Sequence, residues 1–194
     1  MARHRWRKRE IHPARLAMLE RALRGGDPKL NPQQAAKALA RTREGLRLLA
    51  QVGSSPGAPE PRQAALYEFS FTNLASWHLV LLRRVFANPH EAPDIRAQAA
   101  EALGCHYAGY RYRWQRRYRR LVEALERGLE DPAPEVRFWS IYALTCMEEA
   151  QVLPRLRLIA ATDTARCPGM WTLRQEALWA IGKFEGQDLD PTTL

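Results

Sequence analysis

Three stretches decide the fold: Asp94-Ile-Arg-Ala-Gln-Ala-Ala-Glu-Ala-Leu-Gly104, Glu135-Val-Arg-Phe-Trp-Ser-Ile-Tyr-Ala-Leu-Thr145 and Thr172-Leu-Arg-Gln-Glu-Ala-Leu-Trp-Ala-Ile-Gly182. They align without a gap. Their arginines, Arg96, Arg137 and Arg174, stand 41 and 37 residues apart, each preceded by an aliphatic residue. Small residues recur at Ala99, Ser140 and Ala177 and again at Ala102, Ala143 and Ala180, and Leu103, Leu144 and Ile181 close the blocks. Small residues at helical spacing let a neighbouring helix come close, as stacking requires. Self-similarity at this period is the signature of a repeat architecture.

A longer amphipathic helix and a proline-marked turn precede each of the first two blocks: Ala87-Asn-Pro-His-Glu-Ala-Pro93, then Glu130-Asp-Pro-Ala-Pro134. Over residues 72–184 the pattern resembles the HEAT-like repeat family, an armadillo-type helical fold. The likeness is greatest to the short bacterial form found in bilin-lyase relatives, with Asp-Pro turns and a Val-Arg-x-x-Ala-x-x-Ala-Leu-Gly second helix. Thr145 stands where that family has glycine, and the third turn, Asp163 to Trp171, is long and irregular. The resemblance implies a right-handed stack of hairpins whose second helices line a concave face.

Working toward the N-terminus, residues 1–10 read as a basic arm and 11–52 as a helical hairpin. Pro13 opens its first helix, with Leu16, Leu19 and Leu23 on one face, and Gly25-Gly26-Asp27-Pro28 ends it. Asn31-Pro32-Gln33-Gln34 is a capping-box start, and Ala35, Leu39, Thr42, Leu46 and Leu49 continue one face to Val52. The Pro/Gly/Ser-rich stretch 53–62 reads as a linker. Helical pattern resumes over 63–87, with Leu66, Phe69, Leu74, Trp77, Leu81 and Val85 as expected core. The expected repeat domain spans 63–187, followed by a tail at 188–194. The fold class expected is all-α: an α-solenoid of about three HEAT-like hairpins plus an N-terminal helical hairpin.

Hydrophobic content of 46% fits an ordered chain, and 194 residues can bury a core without a staple. Cys105, Cys146 and Cys167 are odd in number and widely spaced, which argues against a disulfide framework and suits a reducing compartment. No apolar run approaches a membrane span, and no secretory signal is present. A cytoplasmic protein without membrane contact is expected. The net charge of +9 favours acidic or polyanionic partners.

Two surfaces follow from this register. If the fourth and eighth residues of each block face the concave side, as the resemblance implies, that side carries Ala97 and Glu101, Phe138 and Tyr142, and Gln175 and Trp179, with Trp139 adjacent. Phe138, Trp139, Tyr142 and Trp179 then form an apolar patch of the kind that binds a protein partner. The other surface belongs to Tyr107 through Arg120. Tyr107, Tyr110, Trp114, Tyr118, Leu121, Leu125 and Leu129 fall on one stripe, which reads as core. Arg113, Arg116, Arg117, Arg120 and Arg127 fall opposite and could, with the basic arm, neutralise nucleic-acid phosphates. Arg96, Arg137 and Arg174 read as structural, pairing with an acid of the adjacent hairpin such as Asp94 or Glu135.

No catalytic residue, metal ligand or cofactor is expected. Deoxyhypusine hydroxylases of this repeat class use His-Glu pairs for iron, but Arg174-Gln-Glu-Ala177 has glutamine at the histidine position, and His90-Glu91 is one pair in a turn. Alkylpurine glycosylases of the class need an acid among aromatics, and the blocks show no acid placed among Phe138, Trp139 and Tyr142. The expectation is a non-catalytic scaffold for a protein partner, with nucleic-acid binding as the alternative.

Overall fold

The computed structural model describes residues 10–108 and 115–194, and helix is the main secondary structure among them. The chain divides into two compact units, residues 1–73 and 74–194.

In the first unit, α1 (Pro13–Leu23) starts on His12, whose ring nitrogen accepts the Ala14 N–H at 3.3 Å, and ends at Gly25, which takes the left-handed conformation at φ +79. α2 (Pro32–Leu39) carries the expected capping box between Asn31 and Gln34. The expected single helix to Val52 is in fact two. Thr42 leaves the helical register and caps α3 (Arg43–Ser54), its hydroxyl accepting the Gly45 N–H at 3.0 Å and donating to the Leu39 carbonyl at 3.2 Å. A threonine that satisfies a free N–H competes with helix continuation, and here the cap prevails.

The stretch read as a linker, 53–62, lies inside this unit. α3 runs to Ser54 and α4 (Pro59–Tyr67) begins at Pro59, packing on α2 and α3. A Cβ on Gly53 would lie 2.8 Å from Leu66 Cδ2, so α3 and α4 cross closely there. Prolines in the first turn of a helix forfeit no hydrogen bond, which is why a proline-rich stretch opens α4. Leu23, Leu39, Leu49, Leu66 and Phe69 fill the core.

The second unit is three helical hairpins: α5 (Ser76–Ala87) with α6 (Pro93–Tyr107), α7 (Arg116–Gly128) with α8 (Pro134–Cys146), and α9 (Leu153–Thr162) with α10 (Leu173–Phe184). The aligned blocks are the second helices, and α8 packs between α6 and α10. The small residues do what their spacing predicts. Ala99, Ala102, Ser140, Ala143, Ala177 and Ala180 are all fully buried. Gly104 is a point of close approach: a Cβ there would sit 2.6 Å from Ala143 Cα. In α5 the buried face is His78, Leu82, Val85 and Phe86, and Trp77, expected in the core, is 47% exposed.

The block arginines are structural, but their acids come from the following turn. Arg96 donates to the Phe86 carbonyl at 3.1 Å and pairs with Asp131 at 2.5 Å. Arg137 repeats this one hairpin on, donating to the Asp131 carbonyl at 2.7 Å and pairing with Asp163 at 2.9 Å. Arg174 donates to the carbonyls of Ala160 and Ala161 at the end of α9, at 2.9 and 3.0 Å. Each arginine thus satisfies open carbonyls at a helix end or turn, and the first two also join consecutive hairpins. The C-terminal residues fold back on α10: Leu189 lies against Gly182, and Gln175 donates to the Leu194 carbonyl at 3.0 Å.

Candidate functional site

The second helices present one set of residues to a pocket of about 220 Å³. Block positions five and eight read Gln98 and Glu101, Trp139 and Tyr142, Glu176 and Trp179. All but Gln98 line the pocket. Position four, expected to share that face, does so only in part: Phe138 lines the pocket but is only 1% exposed, and Ala97, 3% exposed, does not line it. Phe138 is therefore a floor beneath the aromatic patch and not an exposed anchor. Trp139, Tyr142 and Trp179 are half-buried, with ring surface left over.

The rings hold one another at steep angles. Phe138 meets Trp139 at 5.4 Å and 71°, and Trp139 meets Tyr142 at 5.3 Å and 76°. Tyr142 and Trp179 lie nearly parallel, 10° apart with centroids at 6.0 Å. Edge-to-face packing of this kind fixes ring orientation and leaves neighbouring faces pointing in different directions.

A further ring comes from a segment outside the blocks. The irregular third turn carries a short antiparallel bridge between Arg166 and Thr172, and Cys167 N–H bonds to the Trp171 carbonyl at 3.3 Å. The turn delivers Met170 and Trp171 to the pocket wall, with Trp171 5.7 Å from Phe138. Pro191, from the refolded C-terminal segment, lines it too. Only the register of the blocks was visible in sequence, so Met170, Trp171 and Pro191 had no signal.

Two carboxylates belong to the same pocket, which corrects the expectation of no acid among these aromatics. Glu101 is 8% exposed and accepts from the Gln98 side chain. Burial raises its carboxyl above the ordinary range, opposed by that hydrogen bond. Glu176 is 1% exposed. Its Oε2 accepts from the Trp171 indole N–H at 2.8 Å, while Oε1 is buried with no hydrogen-bond partner among the described residues. Burial pushes this carboxyl up to about 8. No lysine or arginine lines the pocket. Behind the acids, Tyr142 Oη lies 3.8 Å from Cys105 Sγ, and burial pushes the Cys146 thiol up to about 11. A thiol held that high is un-ionised at neutral pH and is a poor nucleophile.

The arginine surface divides. Arg116, Arg117, Arg120 and Arg127 are exposed on α7, as the helical pattern required, while Arg113 and the basic arm lie outside the described residues. Tyr110 and Trp114 of the expected stripe lie there as well; Tyr107, Tyr118, Leu121, Leu125 and Leu129 are buried. Arg120 and Arg127 share a groove of about 420 Å³ with Arg83 and Arg84 of α5, and no carboxylate lines it. Sequence reasoning missed Arg83 and Arg84, which enter the groove only because α5 and α7 are neighbours.

Among the described residues no group of three or more His, Cys, Asp or Glu side chains could hold a metal ion. No helix among them is long and apolar enough to cross a membrane.

A family profile of HEAT repeats matches residues 81–167. Over that stretch the C-terminal unit is similar to HEAT repeats. None of the curated proteins matches the chain. Among solved structures, a computationally designed armadillo repeat protein for modular peptide recognition superposes with a TM-score of 0.50 at 17% identity, covering 87% of this chain and 82% of that one. At that identity the likeness carries the fold alone. The HEAT register also accounts for the split character of the second helices: position three serves the stack, and positions five and eight face the pocket.

Proposed function

We propose that the HEAT-repeat unit is a non-catalytic scaffold that takes a protein partner on the face formed by block positions five and eight. The observation that carries this reading is the cluster of half-buried rings, Trp139, Tyr142, Trp171 and Trp179, around one open pocket. Aromatic side chains pre-ordered by their neighbours supply contact area at little entropic loss, and interface energy concentrates on such residues. Repeat stacks offer extended surfaces for this use, and the designed armadillo protein of similar fold was made for peptide recognition.

Selection of peptides from a random display library against the full chain tests the reading. Selected peptides should quench tryptophan emission and lose at least tenfold in affinity against a Trp139→Ala/Trp179→Ala variant whose circular dichroism is unchanged. Peptides that bind the variant equally well, or a library that yields none, refute it.

A second reading, nucleic-acid binding, is favoured by the groove in which Arg83, Arg84, Arg120 and Arg127 converge without a carboxylate. About four phosphate contacts should weaken binding roughly a hundredfold between 50 and 200 mM salt. Fluorescence anisotropy with labelled duplex DNA, single-stranded DNA and RNA reads that slope. Its loss when the four arginines become glutamine is required.

A further inference from the structure

The pocket holds a combination that a purely apolar docking site does not need. Its walls are ring faces, Trp139 steeply inclined to Tyr142 and Trp179 nearly parallel to it, and among them stands a carboxylate with one oxygen left unpartnered. A buried carboxylate oxygen without a hydrogen bond is destabilising, and native structures rarely retain one without use. Ring faces are electron-rich and attract a cation within about 6 Å of the centroid, more strongly where water is excluded. Glu101 and Glu176 are carboxyl groups that a cation would favour in their ionised form, and no lysine or arginine lines the pocket to compete for them. Every feature on the wall therefore favours one kind of guest: a positive charge with an apolar coat.

We propose that this pocket receives a methylated lysine side chain of the partner polypeptide, its methyl groups against Trp139, Tyr142 and Trp179 and its remaining N–H on Glu176 Oε1. This rests on the protein-partner reading above and names the group that partner inserts.

Size and donor count choose among cations. At about 220 Å³ the pocket falls below the range of roughly 300–1,000 Å³ typical for drug-sized ligands, and it suits the head of one side chain. An unmodified ammonium brings three N–H donors and is strongly hydrated. Glu176 has one buried oxygen without a partner, Oε1, since Oε2 is held by Trp171, and Glu101 Oε2 is engaged by Gln98. Dimethyllysine keeps a single N–H and presents methyl groups to the rings. A guanidinium brings five donors in a plane, more than one unpartnered oxygen can accept. The raised carboxyl of Glu176 fits the same picture: the empty pocket holds it protonated, and an arriving cation favours release of that proton.

The test uses probes of one residue, so that the pocket is read apart from any peptide. N-acetyl-dimethyllysine methylamide, its unmethylated lysine counterpart and the neutral norleucine counterpart are titrated into the full chain at pH 7.5, following tryptophan emission. Dimethyllysine should bind at least tenfold more tightly than either of the others. Glu176→Gln should remove that advantage while leaving norleucine binding unchanged, because glutamine keeps an acceptor for the Trp171 indole. Trp179→Leu, at a half-exposed position, should weaken the dimethyllysine probe tenfold without unfolding the chain. Equal binding of norleucine and dimethyllysine, or an undiminished dimethyllysine affinity in Glu176→Gln, overturns the proposal. Selected peptides that bind without any cationic residue would overturn it while leaving the protein-partner reading in place. Probe binding with no peptide binder would overturn that broader reading instead.

Discussion

Glu176 gives the sharpest physical prediction, because its environment sets both the sign and the size of a pH effect on stability. In the unfolded chain its carboxyl titrates near 4.5, whereas in the folded chain burial moves it to about 8. Below pH 4.5 both states hold the proton and the group is neutral toward stability. Between the two values the unfolded state ionises while the folded state does not, so stability falls as pH rises. Above about 8 both are ionised and the full penalty is reached. At about 1.4 kcal/mol for each pH unit, the interval from 4.5 to about 8 amounts to about 5 kcal/mol. The ionisable groups around it are Glu101 of α6, Tyr142 and Cys146 of α8, and Cys167 of the preceding turn, none of them a cation.

Glu176→Gln removes the titration but keeps an oxygen for Trp171. The amide introduces a constant penalty of about 1–3 kcal/mol for its unpaired donors, and a constant term drops out of the pH slope. Urea unfolding at pH 5, 6, 7, 8 and 9 measures it, monitored by tryptophan emission. Five of the chain's six tryptophans lie beyond residue 74, so emission reports mainly the C-terminal unit. The gap in unfolding free energy between variant and wild type should widen by several kcal/mol from pH 5 to pH 9, in favour of the variant. Glu101 contributes a parallel slope to both proteins and cancels. Profiles that run parallel across the range refute the reasoning, because they would mean that Glu176 is not held protonated by the fold.

Two further predictions concern the stack. Gly104→Ala gains about 1 kcal/mol of helix propensity but places a Cβ 2.6 Å from the Ala143 backbone. That backbone has no rotamer with which to yield, and overpacking costs about 1–3 kcal/mol. The net loss of up to about 2 kcal/mol should lower Tm by up to about 8 °C, whereas Gly57→Ala, with no atom within 4 Å, should not. Arg137→Met strands Asp163 and two turn carbonyls in a partly buried joint and should destabilise by about 2 kcal/mol in urea titration. Arg155→Met, whose pair with Glu130 is exposed, should fall within about 0.5 kcal/mol of wild type.

What could be read beforehand was whatever repeats. The arginine, the two small residues and the closing aliphatic of each block impose the same demand on every second helix, so three weak patterns reinforce one another. The hairpins, the buried Ala and Ser positions and the structural arginines were legible for that reason. Features that occur once were not. Thr42 looks like one more step of a helical face, and only its bond to the Gly45 N–H makes it a cap. Trp77 reads as core because it is large, yet the turn of α5 gives the buried place to His78. The stretch 53–62 has linker composition, and what makes it a tight turn is the fit of Gly53 against Leu66. The candidate pocket was half visible. Trp139, Tyr142 and Trp179 followed from register, and Phe138 lines the same pocket as its buried floor. Glu176 reads as a solvated helix acid until the third turn, with Trp171, is folded over it.

The charges on the second helices differ in a way that bears on where a ligand belongs. Arg96, Arg137 and Arg174 are consumed by the stack: each donates to open carbonyls, and two pair with an acid of the next turn. Removing any of them harms the fold. Glu176 is the reverse case, for one oxygen is satisfied and the other has no partner among the described residues. A glutamine there would serve the stack better at neutral pH. Folding therefore accounts for block position three and does not account for the acid at position five of the last block. A group that the fold would be more stable without, set among half-buried ring faces, has a reason to be there only if something else completes it. That asymmetry is why the proposed guest is a cation, and why it is placed at α8 and α10 rather than along the arginines of the turns.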